Sequence, residues 1–255
     1  MYNPLFDIEG KAVLLTGSAR GLGYGYATTF LEAGCKVIFN GVNKEKLDAT
    51  VAELQKEGWP AYGYAFDVTD EQAVEESIEK IEKEVGPIDI LVNNAGIQRR
   101  VPMTEFPIDT WREVIDTNLT GVFIVGRAVG KRMVKRGKGK IINITSLNAI
   151  LARENICAYS SAKGGVTMLT KSMATEFGPY GVTVNAVGPG YISTDMTRAL
   201  ADDPAFDSWV KSEVPMKRWG LPQDIVGSVL FFASPASDYV QGQTVFVDGG
   251  WTSCL

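Results

Sequence analysis

Short apolar segments recur along the whole chain, and each is followed at once by small or polar residues. The first covers residues 12–15 and runs directly into Thr16-Gly17, which favours a buried parallel strand over a helix. Six further segments have the same character, at residues 37–39, 61–66, 90–92, 141–144, 182–187 and 244–247. Together they predict a mostly parallel sheet that is covered by other elements on both faces.

The stretches between these segments have helical periodicity. Val74, Ile78, Ile81 and Val85 are spaced by four, three and four residues in an otherwise acidic stretch, so they form one apolar stripe on a helix. Strands that alternate with helices of this length favour βαβ units with right-handed crossovers. With 255 residues and no linker, the chain is predicted to form a single α/β domain over residues 1–255.

The composition excludes several kinds of chemistry. The chain has no histidine, which rules out Ser-His-Asp and Cys-His mechanisms and removes the commonest neutral ligand of transition metals, so no metal site is predicted. Its 30 acidic residues exceed its 25 basic ones, and an acidic protein is repelled by nucleic acid. Hydride transfer and carboxylate-based chemistry are favoured instead.

The cysteines and the N-terminus indicate the compartment. The three cysteines, Cys35, Cys157 and Cys254, are odd in number and far apart, which fits neither a disulfide framework nor a zinc ribbon. Residues 1–11 show no signal-peptide pattern, and no apolar run approaches the ~20 residues needed to span a bilayer. The sequence therefore predicts a cytoplasmic protein with no membrane or nucleic-acid partner.

A glycine-rich turn directly follows the first predicted strand and opens a helix. Its Gly-x-x-x-Gly-x-Gly spacing lets the backbone approach a pyrophosphate, whose charge the exposed N–H groups of the helix start would stabilise. The spacing differs from the Gly-x-Gly-x-x-Gly dinucleotide fingerprint, and a purely structural turn is the alternative. The residues predicted to contact a dinucleotide here are Gly17, Ser18, Arg20, Gly21, Leu22 and Gly23.

Two further segments end at the same predicted sheet edge, where open α/β sheets bind ligands. Asn94, Ala95 and Gly96 follow the fourth strand, and the small residues among them would let a flat cofactor lie against the backbone. Asp67 and Val68 follow the third strand and are predicted to meet an adenine ring. An ordinary turn and helix capping by a nearby acid are the respective alternatives.

Three side chains suggest acid–base chemistry. Ser146 follows the fifth strand, and Tyr159 and Lys163 lie four residues apart in a helical segment, so the ammonium can lie beside the phenol. Acid–base work near neutral pH requires the pKa of the phenol to fall from ~10 by about three units, roughly 4 kcal/mol. A cation about 4 Å away supplies ~1 kcal/mol in water but ~4 kcal/mol at an effective dielectric constant near 20. The pair therefore requires a pocket that largely excludes water.

These motifs occur in one order, and over essentially its whole length the chain resembles the short-chain dehydrogenases/reductases. The resemblance rests on residues 16–23, Asn94 with its neighbours, Asn118, Ser146, Tyr159-x-x-x-Lys163, residues 189–194 and residues 247–250. It implies a Rossmann fold, a doubly wound seven-stranded parallel sheet with helices on both faces, and a homotetramer. It also implies that the cofactor contacts Tyr159, Lys163, Pro189, Gly190, Ile192 and Thr194.

The resemblance further assigns catalytic roles to four residues. Tyr159 is expected to donate and accept the proton, and Ser146 to orient the substrate oxygen. Lys163 is expected to lower the pKa of the phenol and to hold the nicotinamide ribose, and Asn118 to position a water molecule in a proton relay.

The residues that follow the second strand indicate whether the site prefers NADP(H) or NAD(H). Dinucleotide sites that prefer NAD usually have an acid there, which bonds the ribose hydroxyls and repels a 2′-phosphate. Here the edge carries Asn40 and Gly41, with Gly41 where the family often has aspartate, and Arg20 could reach a phosphate. NADP(H) is favoured. NAD(H) stays open, because the arginine that many NADP-preferring relatives carry after this strand is also absent.

Two adjacent arginines, Arg99 and Arg100, lead from the nicotinamide edge toward the expected active site. An arginine fork binds a carboxylate through two charge-assisted hydrogen bonds, whereas a solvated or ion-paired surface residue is the alternative. The surrounding sequence resembles the sugar-acid dehydrogenases of the family. Arg100 is therefore the expected carboxylate contact, and Ser146 and Tyr159 the expected contacts of the reacting group. Residues 192–215 are predicted to form a substrate lid, with a small satellite core as the alternative.

The predicted function is an NAD(P)-dependent, reversible oxidation of a secondary hydroxyl of a sugar acid of the gluconate and 5-ketogluconate type. Hydride transfer would be coupled to general acid–base catalysis by Tyr159. The alternative enzyme is a reductase of another carbonyl substrate, such as a 3-ketoacyl thioester or a small ketone. A non-catalytic nucleotide sensor would be expected to lack one or more of the four residues assigned catalytic roles, and all four are present.

Overall fold

Seven parallel strands form one sheet in the order β3-β2-β1-β4-β5-β6-β7, in a computed structural model that describes residues 4–194 and 197–254. The strands are β1 (Ala12–Leu15), β2 (Lys36–Gly41), β3 (Ala61–Ala65), β4 (Ile90–Asn93), β5 (Gly139–Ile144), β6 (Val182–Pro189) and β7 (Thr244–Val247). Every neighbouring pair is parallel. The seven predicted strands are confirmed, with bounds that shift by up to two residues.

Helices connect the strands and cover both faces of the sheet, as the Rossmann prediction requires. They are α1 (Gly21–Glu32), α2 (Lys44–Lys56), α3 (Glu71–Glu84), α4 (Ile108–Ile115), α5 (Gly121–Arg136), α6 (Cys157–Phe177), α7 (Arg198–Ala201), α8 (Pro204–Glu213) and α9 (Pro222–Ala233). No helix within residues 4–194 or 197–254 combines the length and the apolar character that a membrane span needs.

Alternation of side chains along β1 explains why its apolar run is continuous. Val13 and Leu15 point into a core shared with α1, α2 and α9, whereas Leu14 points into a second core shared with α3, α5 and α6. Successive strand residues face opposite sides of the sheet, so a strand between two helical layers must be apolar at every position. All four β1 residues are accordingly buried.

The acidic stretch after β3 folds as the predicted amphipathic helix α3. Asp70 caps its N-terminus by accepting a hydrogen bond from the Ala73 N–H at 3.0 Å, and Val74, Ile78 and Ile81 are fully buried. The fourth member of the stripe, Val85, lies at the C-cap and packs against the same core. The polar face of the helix is left for solvent and for ion pairs to α5.

The chain order reverses between β1 and β4, which lie side by side at the centre of the sheet. Connections that leave these two strands run to opposite sides, so a crevice opens at their carboxyl ends. The segments after β1 and β4 are the glycine-rich turn and residues 94–96. The fold thus brings together the two motifs that are predicted to bind a dinucleotide.

Val210 of α8 and Val214 just after it, both in the predicted lid segment, contribute to a small satellite core, the alternative raised for this segment. Val210 and Val214 are buried beside Trp219, and partly buried aromatic rings surround them. Ile192 also pairs with Gly220 in a parallel bridge. Residues 195 and 196 of the predicted lid lie outside the described residues.

Candidate active site

Hydrogen bonds join the loops that follow β1 and β4 at the carboxyl edge of the sheet. The hydroxyl of Thr16 accepts from the backbone N–H groups of Asn94 and Ala95, both at 3.0 Å. In return, the Asn94 amide donates to the carbonyls of Thr16 and Gly17, also at 3.0 Å. These four bonds fix the glycine-rich turn against the turn after β4, so the two halves of the crevice form one rigid edge.

Close packing explains two of the glycines in the turn. Gly17 has a φ of 63°, and a Cβ atom there would lie 2.8 Å from the Ala95 Cα. A Cβ atom on Gly23 would lie 2.4 Å from the Gly17 carbonyl oxygen. Both positions therefore exclude any larger residue.

The first turn of α1 is open to an anion. Its N-cap residue, Arg20, makes no capping hydrogen bond through its side chain, and no acid lies in the first turn. The first N–H groups of a helix have no intrahelical partner and carry the positive end of the dipole. Beside them lies a cavity of about 440 Å³ lined by Gly21, Ser193, Thr194, Arg198, Ala201, Asp202 and Pro222. These residues fit the diphosphate of a dinucleotide.

Asn40 has a structural role at the edge after β2. Its side-chain oxygen accepts from the Gly17 N–H at 3.2 Å, and its amide donates to the carbonyls of Tyr64 and Phe66 at 3.2 and 3.0 Å. Both amide hydrogens are therefore committed to the protein, and the residue is only 1% exposed. Asn40 ties β1, β2 and β3 together at the site, a role that the sequence did not reveal.

The other predicted adenosine contacts differ in exposure. Gly41 is partly exposed, and a Cβ atom there would meet only the Ala19 methyl group, at 3.8 Å, so the position has room for a side chain. Asp67 is exposed and accepts two bonds from Thr69, whereas the helix-capping acid is Asp70. Val68 is buried and packs against Gly121 at the start of α5.

The predicted residues after β6 and in the turn also gather at this edge. Pro189 ends β6, and Gly190 donates a backbone bond to the Val247 carbonyl. Ile192 is buried, Thr194 bonds Thr197 beside the cavity, and Leu22 packs partly into the core under α1. Ser18 is fully buried and donates to the Leu15 carbonyl, so its side chain supports the turn from below.

Ser146, Tyr159 and Lys163 come together at the end of β5. Ser146 caps a short 3₁₀ turn (Leu147–Ala149) and hydrogen-bonds Tyr159 through its hydroxyl. Tyr159 and Lys163 lie on one face of α6, with the Lys163 Nζ 5.7 Å from the phenol ring centroid. The ammonium donates to the Ile144 carbonyl at 2.7 Å and is 3% exposed. The three side chains predicted to carry acid–base chemistry are therefore neighbours in a pocket that largely excludes water.

Burial shifts both titrating groups of this pocket away from their charged forms. It raises the pKa of Tyr159, and the hydrogen bond with Ser146 and the charge of Arg100 lower it only in part. Burial also lowers the pKa of Lys163, to about 8. The lowered phenol pKa expected from Lys163 is thus not reached in the protein alone, because the same dry surroundings that strengthen the attraction also desolvate the phenolate.

Asn118 lies in a π-helical turn (Asp116–Thr120) between α4 and α5. Such turns are frequent at functional sites because they displace one residue from the regular helix. The side-chain oxygen and nitrogen of Asn118 bond the N–H and carbonyl of Ile97, both at 2.8 Å. The residue is fully buried and holds the segment after Gly96, so its side chain acts on the loop and has no described bond to Tyr159 or Lys163.

The two adjacent arginines have different surroundings. Arg99 forms an ion pair with Glu113 at 2.6 Å, the alternative raised for a surface arginine. In the part of the chain that the structure describes, no carboxylate pairs with Arg100. Partial burial is the main cause that lowers its pKa, and the charge of a further arginine, Arg153, lowers it further.

Sequence reasoning missed Arg153 and Tyr191. Arg153 lies in the loop between Ser146 and Tyr159, and its guanidinium carbon is 4.4 Å from the centroid of the Phe206 ring. Tyr191 hydrogen-bonds Arg153 and interacts electrostatically with Arg100. The only feature of the sequence that could have indicated Arg153 is its position between Ser146 and Tyr159. Over the described residues, no group of three His, Cys, Asp or Glu side chains could hold a metal ion.

Residues 17–252 match a family model described as enoyl-(acyl carrier protein) reductase. Together with full-length relatives, this match shows that the chain belongs to the short-chain dehydrogenase/reductase family, as its motifs predict. It is an oxidoreductase of that family.

Three relatives make the likeness more specific. The chain is 46% identical to 5-keto-D-gluconate 5-reductase of Escherichia coli (strain K12), over 97% of this chain and 98% of the relative. It is 44% identical to gluconate 5-dehydrogenase of Gluconobacter oxydans (strain 621H), over 98% of both. A crystal structure of a gluconate 5-dehydrogenase from Burkholderia cenocepacia J2315, in complex with NADP and tartrate, is 45% identical with a TM-score of 0.96, covering 99% of both chains.

Replacing Lys163 by methionine should stabilise the protein at pH 7. Because its pKa falls from 10.5 unfolded to about 8 folded, the unfolded state binds the proton more tightly, which costs ~3 kcal/mol below pH 8. The cost disappears as pH rises from 8 to 10.5. After about 1 kcal/mol for the lost bond to Ile144, we expect Lys163→Met to gain ~2 kcal/mol in urea unfolding at pH 7 and little at pH 10.

The matched control is Lys171→Met, an exposed position on the same helix, which should change stability by less than about 0.5 kcal/mol. A Lys163→Met protein that is less stable than the wild type at pH 7 would contradict this description of the buried charge.

Proposed function

We propose that the protein catalyses the reversible, NADP(H)-linked interconversion of a secondary hydroxyl and a ketone on a sugar acid of the gluconate and 5-ketogluconate type. The observation that carries the proposal is the contact of Ser146, Tyr159 and buried Lys163 next to Arg100, whose charge no described carboxylate balances. The names of the relatives support the same substrate class.

Tyr159 moves the proton in this reaction. In the reducing direction its hydroxyl donates to the substrate carbonyl oxygen, and in the oxidising direction its oxygen takes the proton of the substrate hydroxyl. Ser146 already bonds the same phenol, so its hydroxyl can hold the substrate oxygen in line with Tyr159. When bound, NADP(H) supplies or accepts the hydride.

Lys163 and Arg100 provide the charge that the phenolate needs. Burial alone holds the pKa of Tyr159 above its usual value, so neutral-pH catalysis requires nearby cations to offset that burial. Lys163 lies beside the ring, and Arg100 acts from the substrate side. Lys163 would also hold the nicotinamide ribose, and Asn118 would place the water of a proton relay close to it.

The dinucleotide would lie along the edge from α1 to β6. The uncapped start of α1 would bind the diphosphate, and Arg20, which is exposed, would meet a 2′-phosphate. Gly41 leaves space there without adding negative charge. These features favour NADP(H) and leave NAD(H) possible.

Residues 192–215 would act as the substrate lid, because α7 forms one wall of the cavity beside Gly21. We also propose a cytoplasmic homotetramer built through the helices that carry Asn118 and Tyr159. The exposed side chains of Phe123 on α5 and Met168 on α6 support this surface as an interface, since both are large and apolar.

A nicotinamide-absorbance assay of the purified protein tests the proposal. We expect NADPH oxidation with 5-keto-D-gluconate and NADP reduction with D-gluconate. The panel includes 2-keto-3-deoxygluconate, a 3-ketoacyl thioester and a neutral ketone. Turnover of the last two alone would replace the sugar-acid function with the carbonyl-reductase alternative.

Tyr159→Phe removes the proton donor and keeps the ring. We expect kcat to fall by roughly 10²–10⁴-fold or more, while the dissociation constant for NADPH, measured by fluorescence, stays close to that of the wild type. Turnover at the wild-type rate would contradict a role for Tyr159 in proton transfer.

Arg100→Ala tests the carboxylate contact. Loss of a charge-assisted hydrogen bond costs about 1.5–3 kcal/mol, so KM for 5-keto-D-gluconate should rise at least about tenfold. Arg99→Ala is the matched control, because the adjacent arginine is paired with Glu113 and should leave KM nearly unchanged. An equal rise in both variants would argue against the contact.

Gly41→Asp tests the cofactor edge. The new carboxylate would bond ribose hydroxyls and repel a 2′-phosphate, so the ratio of kcat/KM for NADP to that for NAD should fall at least about tenfold, ~1.4 kcal/mol. Gly41→Asn carries the same shape without the charge and should shift the ratio much less. An unchanged ratio in Gly41→Asp would show that the 2′-phosphate binds elsewhere.

A further inference from the structure

The loop that carries Arg153 is joined to the segment that carries Arg100. The N–H of Val101 donates to the Asn155 carbonyl at 3.0 Å, a bond one residue beyond Arg100 and two beyond Arg153. Asn155 adopts a φ of 64°, which turns the chain sharply before α6 begins. The two arginines therefore lie on neighbouring stretches of backbone at the mouth of the pocket that contains Tyr159.

Aromatic side chains fix the position of the Arg153 guanidinium. It stacks over Phe206 of α8, with the guanidinium carbon 4.4 Å from the ring centroid. Phe206 in turn packs edge to face against Tyr191, with centroids 5.7 Å apart, and Tyr191 hydrogen-bonds Arg153. Arg153 is partly buried, so the contacts restrict a side chain that would otherwise be free in solvent.

No described carboxylate balances these two charges. The ion pairs of residues 4–194 and 197–254 include neither Arg100 nor Arg153, whereas Arg99 next to them is paired with Glu113. Burial lowers the pKa of Arg100 first, and the facing charge of Arg153 lowers it further. Two like charges held together in a partly buried place destabilise each other unless an anion joins them.

We propose that Arg153 is the second half of a two-arginine clamp for the carboxylate of the substrate, and that Phe206 and Tyr191 position it. This inference rests on the proposed function and adds a specificity-determining residue to it. Two planar guanidinium groups can bind both oxygens of one carboxylate, which a neutral ketone does not offer. Since Phe206 belongs to α8, the clamp also links α8 to the charge of the substrate.

Steady-state kinetics of Arg153→Ala test the clamp. We expect KM for 5-keto-D-gluconate to rise at least about tenfold, with kcat much less affected and KM for a neutral ketose unchanged. Arg153→Lys should recover only part of the loss, because a lysine keeps the charge but lacks the fork. The control is Arg112→Ala, an exposed arginine paired with Asp109 on α4, which should behave as wild type.

Tryptophan fluorescence provides a second readout that does not require turnover. Trp209 and Trp251 pack against Tyr191, at 5.9 and 4.9 Å between centroids, and should report D-gluconate binding in a titration of the protein with NADPH present, a pair that cannot react. Arg153→Ala should weaken this binding at least about tenfold. The titration separates the clamp from the reaction itself.

The outcomes distinguish the inference from the proposed function. An unchanged KM and unchanged D-gluconate binding in Arg153→Ala would overturn the clamp, as would an equal rise in KM for acid and neutral substrates. If the wild type binds D-gluconate through Arg153 but turns over no sugar acid, the proposed reaction fails and the clamp stands. If the wild type binds no D-gluconate, both are overturned.

Discussion

The hydrogen bonds between Thr16 and Asn94 are the interaction on which the rest of the site depends. They join the turns after β1 and β4, the two neighbouring strands at which the strand order of the sheet reverses. Asn40 adds the ends of β2 and β3 to the same network. Thr16 and Asn40 are buried, so an unpaired polar group in this network would be costly, and the network is rigid. It therefore holds the start of α1, where we propose that the diphosphate binds, in a fixed position relative to the end of β4.

Exclusion of water acts in two opposite ways at the centre of the site. It would strengthen the attraction between the Lys163 ammonium and a Tyr159 phenolate, and it also removes the hydration on which both charged forms depend. The second effect dominates in the protein alone, since the pKa of Tyr159 is raised and that of Lys163 is lowered. In the reaction that we propose, the protonation state of Tyr159 would therefore depend on Arg100 and on the charge of bound ligands, which would link binding to acid–base catalysis.

The sequence was sufficient where local chemistry determines structure. Continuous apolar runs predicted all seven strands, and the spacing of Val74, Ile78 and Ile81 predicted the buried face of α3. Long-range pairings were not predictable. The bond between Asn40 and Gly17 and the loop contact that brings Arg153 toward Arg100 join residues 23 and 54 positions apart. No periodicity encodes such pairs, because they exist only after the sheet and α6 have formed. The same applies to Asn118, whose π-helical turn no spacing indicates.

A crystal structure of the protein with NADP and D-gluconate would show how the substrate lies in the pocket. We expect the carboxylate between the guanidinium groups of Arg100 and Arg153, and a secondary hydroxyl within hydrogen-bond distance of Tyr159 and Ser146. The opposite orientation, or a sugar acid bound away from Tyr159, would contradict the assignment of this pocket as the site of sugar-acid oxidation.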